Sequence, residues 1–435
     1  MMPGKHRPSL SEVHRSIKIP NSSSFWRKML AYGGPGYLVS VGYIDPGNWA
    51  TDIAGGSKFG YTLLTVILLS NLMAILLQSL CVRLGVATGR DLAQACRDYF
   101  SPRISFCLWV LCEIGIAACD LAELLGSAIA LQLLFGIPLV WGVCITALDV
   151  LVLLFLQGKG FRYVEALVIM LVATVGICFI AETLFSRPDL RGVLLGYLPN
   201  QEILQNSEML YIAIGILGAT VMPHNLYLHS SIVQTRDWQP TTEKQWEAIK
   251  FGTIDSTVAL SLALFINSAI LIVSAATFHF SGNRNVGEIQ EAYKLLSPLL
   301  GVSAASAIFG IALLASGQSS TLTATLAGQI VMEGFLQFKF PSWLRRLLTR
   351  LLAIVPALIT ILIFGESSTS SLIVLSQVIL SLQLPFAVIP LVMFTSNRRL
   401  MGEFVNPLWL KFLAWGVAIV IVGLNVELLL QTFLG

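Results

Sequence analysis

The sequence predicts an all-α polytopic membrane protein, arranged as a five-plus-five inverted repeat with an added eleventh transmembrane helix. Three observations carry that expectation. Of 435 residues, 55% are hydrophobic and only 12% charged, with a mean hydropathy of +0.78. A soluble domain carries about 25% charge, so this composition cannot cover a water-soluble surface of such length. About eleven apolar runs approach the roughly 20 residues that a transmembrane helix needs. The first and sixth runs are interrupted by proline and polar groups at corresponding places, as in transporters built from inverted repeats. The net charge of +3 supplies no basic field for phosphates, so no nucleic-acid partner is expected.

Residues 1–30 read as a polar, basic cytoplasmic tail without the apolar segment of a signal peptide. The first repeat, 31–184, holds runs at 31–56, 61–83, 104–132, 138–157 and 163–184. The second, 209–394, holds 209–232, 255–278, 299–330, 351–364 and 370–394, and helix eleven covers 408–432. The longest polar connections are 184–207 and 233–252. Lys and Arg concentrate in alternate loops. Arg83, Arg90, Arg97 and Arg103 share a side with the tail, as do Arg236, Lys244, Lys250, Arg398 and Arg399. The positive-inside rule therefore puts the N-terminus in the cytoplasm and the C-terminus outside. The seven cysteines form no CxxC pair and read as small packing residues, not metal ligands.

Two runs depart from plain Leu/Ile/Val/Ala helix. The first carries GYIDPGNWATD at 42–52 and the sixth GATVMPHNLYLHS at 218–230. Proline has no N–H and clashes with the carbonyl four residues back. Pro46 thus frees the Gly42 carbonyl, and Pro223 frees that of Ala219. In hydrocarbon a bare carbonyl costs several kcal/mol unless it lines a cavity or meets a ligand. Gly47 eases unwinding after Pro46. A mid-membrane carboxylate, Asp45, costs about 2.5–3.5 kcal/mol, and a packing kink requires none. The breaks offer the Asp45 carboxylate, the Asn48 amide oxygen, the Ala219 carbonyl and the Met222 thioether. Oxygens alone suit hard and transition ions alike, but a thioether favours transition metals, and Mg²⁺ and Ca²⁺ want more oxygens. The set reads as a moderate-affinity site for a divalent transition metal.

DPGN in the first run together with MPH in the sixth resembles the Nramp family of divalent metal transporters. Further similar stretches are TDIAGGSKFGY, DLAELLGSAIALQ, LLASGQSS and LSQVILSLQLPFA. The resemblance extends from about residue 30 to the end. It implies a LeuT-type fold and proton-coupled import of Mn²⁺ or Fe²⁺, with tolerance for Co²⁺ and Cd²⁺. It implies metal contact by Asp45, Asn48, Ala219 and Met222, with Gln377 joining in a closed state. No prosthetic group or enzymatic activity is expected. The expected partners are the metal ion, protons and the lipid bilayer, with the chain working as a monomer. Compact loops and a short tail suggest a bacterial inner membrane.

The third run carries Glu113, Asp120 and Glu123 within about 80° of one another on a helical wheel. Acids on one intramembrane stripe are a proton-relay candidate, although Glu113 also reads as a structural partner of an arginine. The resemblance implies a proton route through Asp120 and Glu123, with Arg345 and Arg346 as basic partners. His224 follows the second break; it suits a proton shuttle or, equally, a neutral group that holds the unwound segment. Asp149 fits neither set. An alternative reading is a LeuT-type symporter of another substrate, such as an amino acid. Asp45 and Met222 oppose it, because an acid and a thioether do not attract an anionic substrate. No HExxH stands in the chain, which speaks against a zinc protease.

Overall fold

The computed structural model describes residues 8–20, 24–146, 148, 160–336, 351, 354–363 and 369–434, with side chains to Gln431. A short strand β1 (Ile17–Lys18) and helix α1 (Phe25–Tyr32) precede the first broken segment, α2 (Pro35–Val41) and α3 (Pro46–Phe59). There follow α4 (Leu64–Thr88), α5 (Leu92–Tyr99), α6 (Pro102–Phe135), α7 (Leu139–Thr146) and α8 (Phe161–Ser186). Two short helices, α9 (Leu190–Gly196) and α10 (Glu202–Gln205), lead to the second broken segment, α11 (Ser207–Thr220) and α12 (Pro223–Ile232). Next come β2 (Arg236–Asp237), α13 (Thr242–Ser274), α14 (Ile289–Leu300) and α15 (Ala305–Leu336). The last helices are α16 (Ile354–Ile363), α17 (Thr369–Thr395), α18 (Arg398–Met401) and α19 (Leu408–Leu434).

Among the described residues, eight helices are long and apolar enough to cross a membrane. The other three expected runs are the broken first segment, the fourth, described as α7, and the ninth, described as α16. Prolines at the first position start α3, α6 and α12, where the missing N–H has no intrahelical partner to lose. The second broken segment is the most buried span, while α8 and α19 are the least. α12 packs on α4 and α15, α11 on α17 and α3, and α13 on α2, α3 and α4. Both breaks therefore lie at the centre of the bundle.

Several boundaries differ from the sequence reading. α13 begins at Thr242, not near 255, because Thr241 caps it and its polar first turns continue the helix beyond the apolar run. The run at 299–330 divides: Gly301 (φ 67°) ends α14 in the left-handed region, and α15 starts afresh. The connection 184–207 carries two short helices.

Residues 8–20 of the N-terminal tail are docked on the bundle. Leu10 and Val13 are buried, and β1 pairs in parallel with β2, Ile17 opposite Arg236. The Leu10 N–H donates to Glu333 Oε2 (2.9 Å) and Gln94 Nε2 to Ser9 Oγ (3.2 Å). Two apolar residues in a polar stretch carry no helical period, so the docking left no sequence signal. Asp91, which caps α5 beside this segment, is buried, and burial pushes its carboxyl up to about 6.

Candidate functional site

Between α2 and α3 the chain unwinds over Gly42–Asp45, and three successive carbonyls leave the helical ladder. Each meets a side chain. Gly42 O accepts from Asn48 Nδ2 (3.3 Å), Tyr43 O from Asn267 Nδ2 (2.6 Å) and Ile44 O from Ser316 Oγ (2.6 Å). Trp49 Nε1 also donates to Ile44 O (3.3 Å). Asp45 caps α3 by accepting from the Asn48 N–H (2.9 Å). Side chains thus satisfy the freed carbonyls of the unwound turn, as a buried backbone requires.

The second break lies between Thr220 and Pro223, with Met222 as the N-cap of α12. A Cβ placed on Gly42 would stand 3.2 Å from Met222 Sδ, so the sulfur faces the first break. A Cβ on Gly47 would stand 2.2 Å from Gln377 Nε2. Only glycine admits the Gln377 amide so close to the start of α3. Asp45, Asn48, Ala219, Met222 and Gln377 are therefore brought together and are all buried.

At the centre sits the Asn48 amide. Its Nδ2 donates to Asp45 Oδ1 (2.7 Å), Ala219 O (3.1 Å) and Gly42 O (3.3 Å). Three oxygens share two hydrogens, so they converge on one point of partial positive charge. Asn48 Oδ1 faces away and accepts from Asn267 Nδ2 (3.1 Å). Asp45 Oδ2 and Gln377 Oε1 are buried with no hydrogen-bond partner. The C-terminal ends of α2 and α11, the negative ends of their dipoles, present the Gly42 and Ala219 carbonyls. The field at this point favours a cation. Among the described residues, no three His, Cys, Asp or Glu side chains cluster as a metal site. The donor set is one carboxylate, neutral oxygens and a thioether, which suits a passing ion more than a resident one.

A second group adjoins it. His224 Nε2 lies 3.8 Å from Cys119 Sγ, and Cys119 Sγ donates to Glu123 Oε1 (3.5 Å). Cys119 also packs with Met222 and Leu380. Sequence reasoning placed this thiol among the packing residues; the structure puts it between the second break and the acid stripe of α6. Asp120 is buried on the same helix. Glu113 accepts from Trp109 Nε1 (2.8 Å) of its own helix. Arg345, Arg346 and Asp149 lie outside the described residues.

Polar ties close the bundle around these groups. On the N-terminal side, Gln78 Nε2 donates to the Tyr43 hydroxyl (2.9 Å), and Gln78 Oε1 lies 2.9 Å from His229 Nδ1. Arg236 pairs with Glu165 (2.6 Å) and donates to Tyr32 O (3.1 Å) and Gly33 O. Asp255 accepts from the N–H groups of Gly34 and Gly36. On the other side, Ser57 Oγ donates to Val286 O (2.7 Å) and His279 Nδ1 lies 3.0 Å from Ser57 O. Asp52, seven residues beyond Asp45 on the same face of α3, is buried with neither carboxylate oxygen hydrogen-bonded. Sequence reasoning did not single it out, although it stands within the GYIDPGNWATD stretch.

The sequence matches the family described as "Natural resistance-associated macrophage protein-like" (Nramp) over residues 36–431. The divalent metal cation transporter MntH of Nostoc sp. (strain PCC 7120) is 90% identical over 435 residues, covering 100% of this chain and 98% of that protein. MntH of Listeria monocytogenes serotype 4a is 61% identical over 428 residues, covering 98% and 96%. Among solved structures, the manganese transporter of Eremococcus coleocola, bound to an aromatic bis-isothiourea compound, superposes with a TM-score of 0.89. It shares 40% identity, covering 96% of this chain and 90% of that one. Mhp1, a nucleobase-cation-symport-1 family transporter, shares the fold alone, with a TM-score of 0.60 at 17% identity, covering 92% and 91%.

Proposed function

The chain belongs to the Nramp family, and from that premise we propose that it carries Mn²⁺ or Fe²⁺, and with less preference Cd²⁺ or Co²⁺, inward by alternating access coupled to protons. The observation that carries this reading is the convergence of Asp45 Oδ1, Ala219 O and Gly42 O on one point beside Met222 Sδ. A dehydrated cation takes the place of the Asn48 N–H₂ group. Asn48 then turns its Oδ1 toward the ion, Asp45 supplies the charge, and Ala219 O and Met222 Sδ complete the contacts. Gln377, already against Gly47, joins as the site closes. One carboxylate does not neutralise two charges, so affinity stays moderate and release remains possible.

Metal and proton compete for the Asp45 carboxylate, so metal arrival releases a proton. His224, Cys119 and Glu123 form a chain by which it leaves, with Asp120 beyond; Glu113, Arg345 and Arg346 belong to the later part of that route. The two repeats, 31–184 and 209–394, move against each other around the breaks. The chain works as a monomer in a bacterial inner membrane, N-terminus in the cytoplasm and C-terminus outside. Uptake of Mn²⁺ into proteoliposomes, read with an internal pH dye, tests this reading. Wild type acidifies the lumen only when metal is present, and Asp45→Asn abolishes both signals. Metal uptake without acidification overturns the coupling. Uptake of an amino acid in place of metal overturns the substrate.

A further inference from the structure

A crevice of about 960 Å³ runs between α19 and the core, walled by α4 on one side and by α11 behind. The α4 wall from Thr65 to Arg83 rises about 27 Å at 1.5 Å per residue, close to the ~30 Å hydrocarbon thickness of a bilayer. The middle of the crevice is apolar. Leu72 and Leu413, which line it, are each about half-exposed, at 53% and 52%. Its ends are polar, with Thr65 and Asn200 at one and Ser79, Thr253 and Arg83 at the other. Arg83 stands on the side of the N-terminal segment. Its guanidinium is fixed in place: Nη1 donates to Phe404 O (3.2 Å), and the group lies 5.3 Å from the Trp246 ring centroid. Among the described residues Phe404 O is the one hydrogen-bond acceptor that Arg83 meets, and a guanidinium has five donors. Trp409, exposed at the same rim, marks the interfacial level at which indoles sit.

The half of this crevice that ends at the fixed cation is about one leaflet deep, and it has the shape and charge of a phospholipid with an anionic headgroup. Basic pockets between transmembrane helices bind such headgroups. We propose that this crevice binds an anionic phospholipid from the bilayer, its phosphate on Arg83 and its chains laid between α4, α11 and α19. The chain ends then rest on Leu217 of α11, the half-helix that presents the Ala219 carbonyl. The lipid braces that half-helix, so its presence sets the rate of transport without touching the metal.

Gly416 gives a clean test. It lines the crevice, and a Cβ there meets no atom within 4 Å, so the Gly416→Phe side chain starts in open space and occupies the crevice. The full chain is exchanged into vesicles of phosphatidylglycerol or phosphatidylcholine, extracted, and its retained lipid measured by native mass spectrometry. Wild type retains phosphatidylglycerol with about fivefold preference, from about 1 kcal/mol per basic contact. Arg83→Gln loses the preference. Gly416→Phe loses the retained lipid itself, keeps Mn²⁺ affinity and transports several-fold more slowly. A Gly416→Phe protein that retains phosphatidylglycerol like wild type, or an Arg83→Gln protein with its preference intact, overturns the site. Lost lipid with an unchanged transport rate overturns the bracing role. A dimer in wild type that Gly416→Phe dissociates overturns the lipid in favour of a second copy.

Discussion

Replacing Met222 by leucine removes one sulfur and little else. The side chain is fully buried beside Cys119 and Leu380. A volume-conserving apolar swap costs under about 1.5 kcal/mol, whereas alanine leaves a cavity and costs about 2–5 kcal/mol. Leucine therefore isolates the chemistry of the donor from the packing of the site. Changes in the groups that merely support metal ligands already cost about 10–100-fold. Loss of a donor belongs at or above that lower bound, at least about tenfold, or ~1.4 kcal/mol, for Mn²⁺. Calcium gains little from a thioether, so its affinity stays where it was. The ratio of the two affinities moves by about tenfold or more toward calcium. Mn²⁺ uptake into proteoliposomes at rising external Ca²⁺ reads this ratio directly. Met222→Leu lets calcium compete at a concentration where wild type ignores it, and Met222→Ala does the same with a lower melting temperature. Unchanged exclusion of calcium in both variants would refute the selectivity reasoning.

Three further outcomes are expected. Gly47→Ala drives a Cβ into the Gln377 amide, 2.2 Å from Nε2, at a cost of about 1–3 kcal/mol; the melting temperature in detergent falls, and Gln377→Ala in the same chain restores part of it, whereas absence of that recovery contradicts the contact. Glu165→Ala leaves the Arg236 guanidinium buried without its carboxylate partner, which costs about 3–5 kcal/mol. The melting temperature in detergent drops, adding Arg236→Met recovers much of it, and equal melts for single and double variants contradict the claim. The Asp91 carboxyl stands at about 6 when folded against about 3.9 when unfolded. Between those values the folded state binds more protons, so this group's contribution falls as pH rises from about 4 to about 6. Asparagine keeps the helix cap, so Asp91→Asn melts with a flatter pH dependence across that window; parallel curves contradict the assignment.

The breaks were legible in the sequence because proline has a fixed physical consequence. Pro46 and Pro223 told which carbonyls leave the ladder, and the structure finds Gly42 O and Ala219 O both turned to one amide. Asp45 and Asn48 were legible because an acid and an amide have no packing reason to flank such prolines; Met222, which also packs with Cys119 and Leu380, was legible through its place one residue before Pro223. Gln377 came only through the family resemblance. The partners that hold the unwound turn were not legible. Asn267 reaches Tyr43 O across 224 residues and Ser316 reaches Ile44 O across 272, and no local pattern encodes a contact at that separation. Cys119 looked like any small buried residue until its neighbours, His224 and Glu123, were in place. The docked N-terminal segment rests on Leu10 and Val13, too few apolar residues to form a period.

The most direct measurement is the anomalous scattering of Mn²⁺ bound to crystals of the chain. The predicted result is a peak bonded to the Asp45 carboxylate, Asn48 Oδ1, Ala219 O and Met222 Sδ, with the Asn48 amide turned so that Nδ2 no longer faces Asp45. In Asp45→Asn crystals that peak disappears. A Mn²⁺ peak away from the two breaks, or one that survives in Asp45→Asn, would contradict the site.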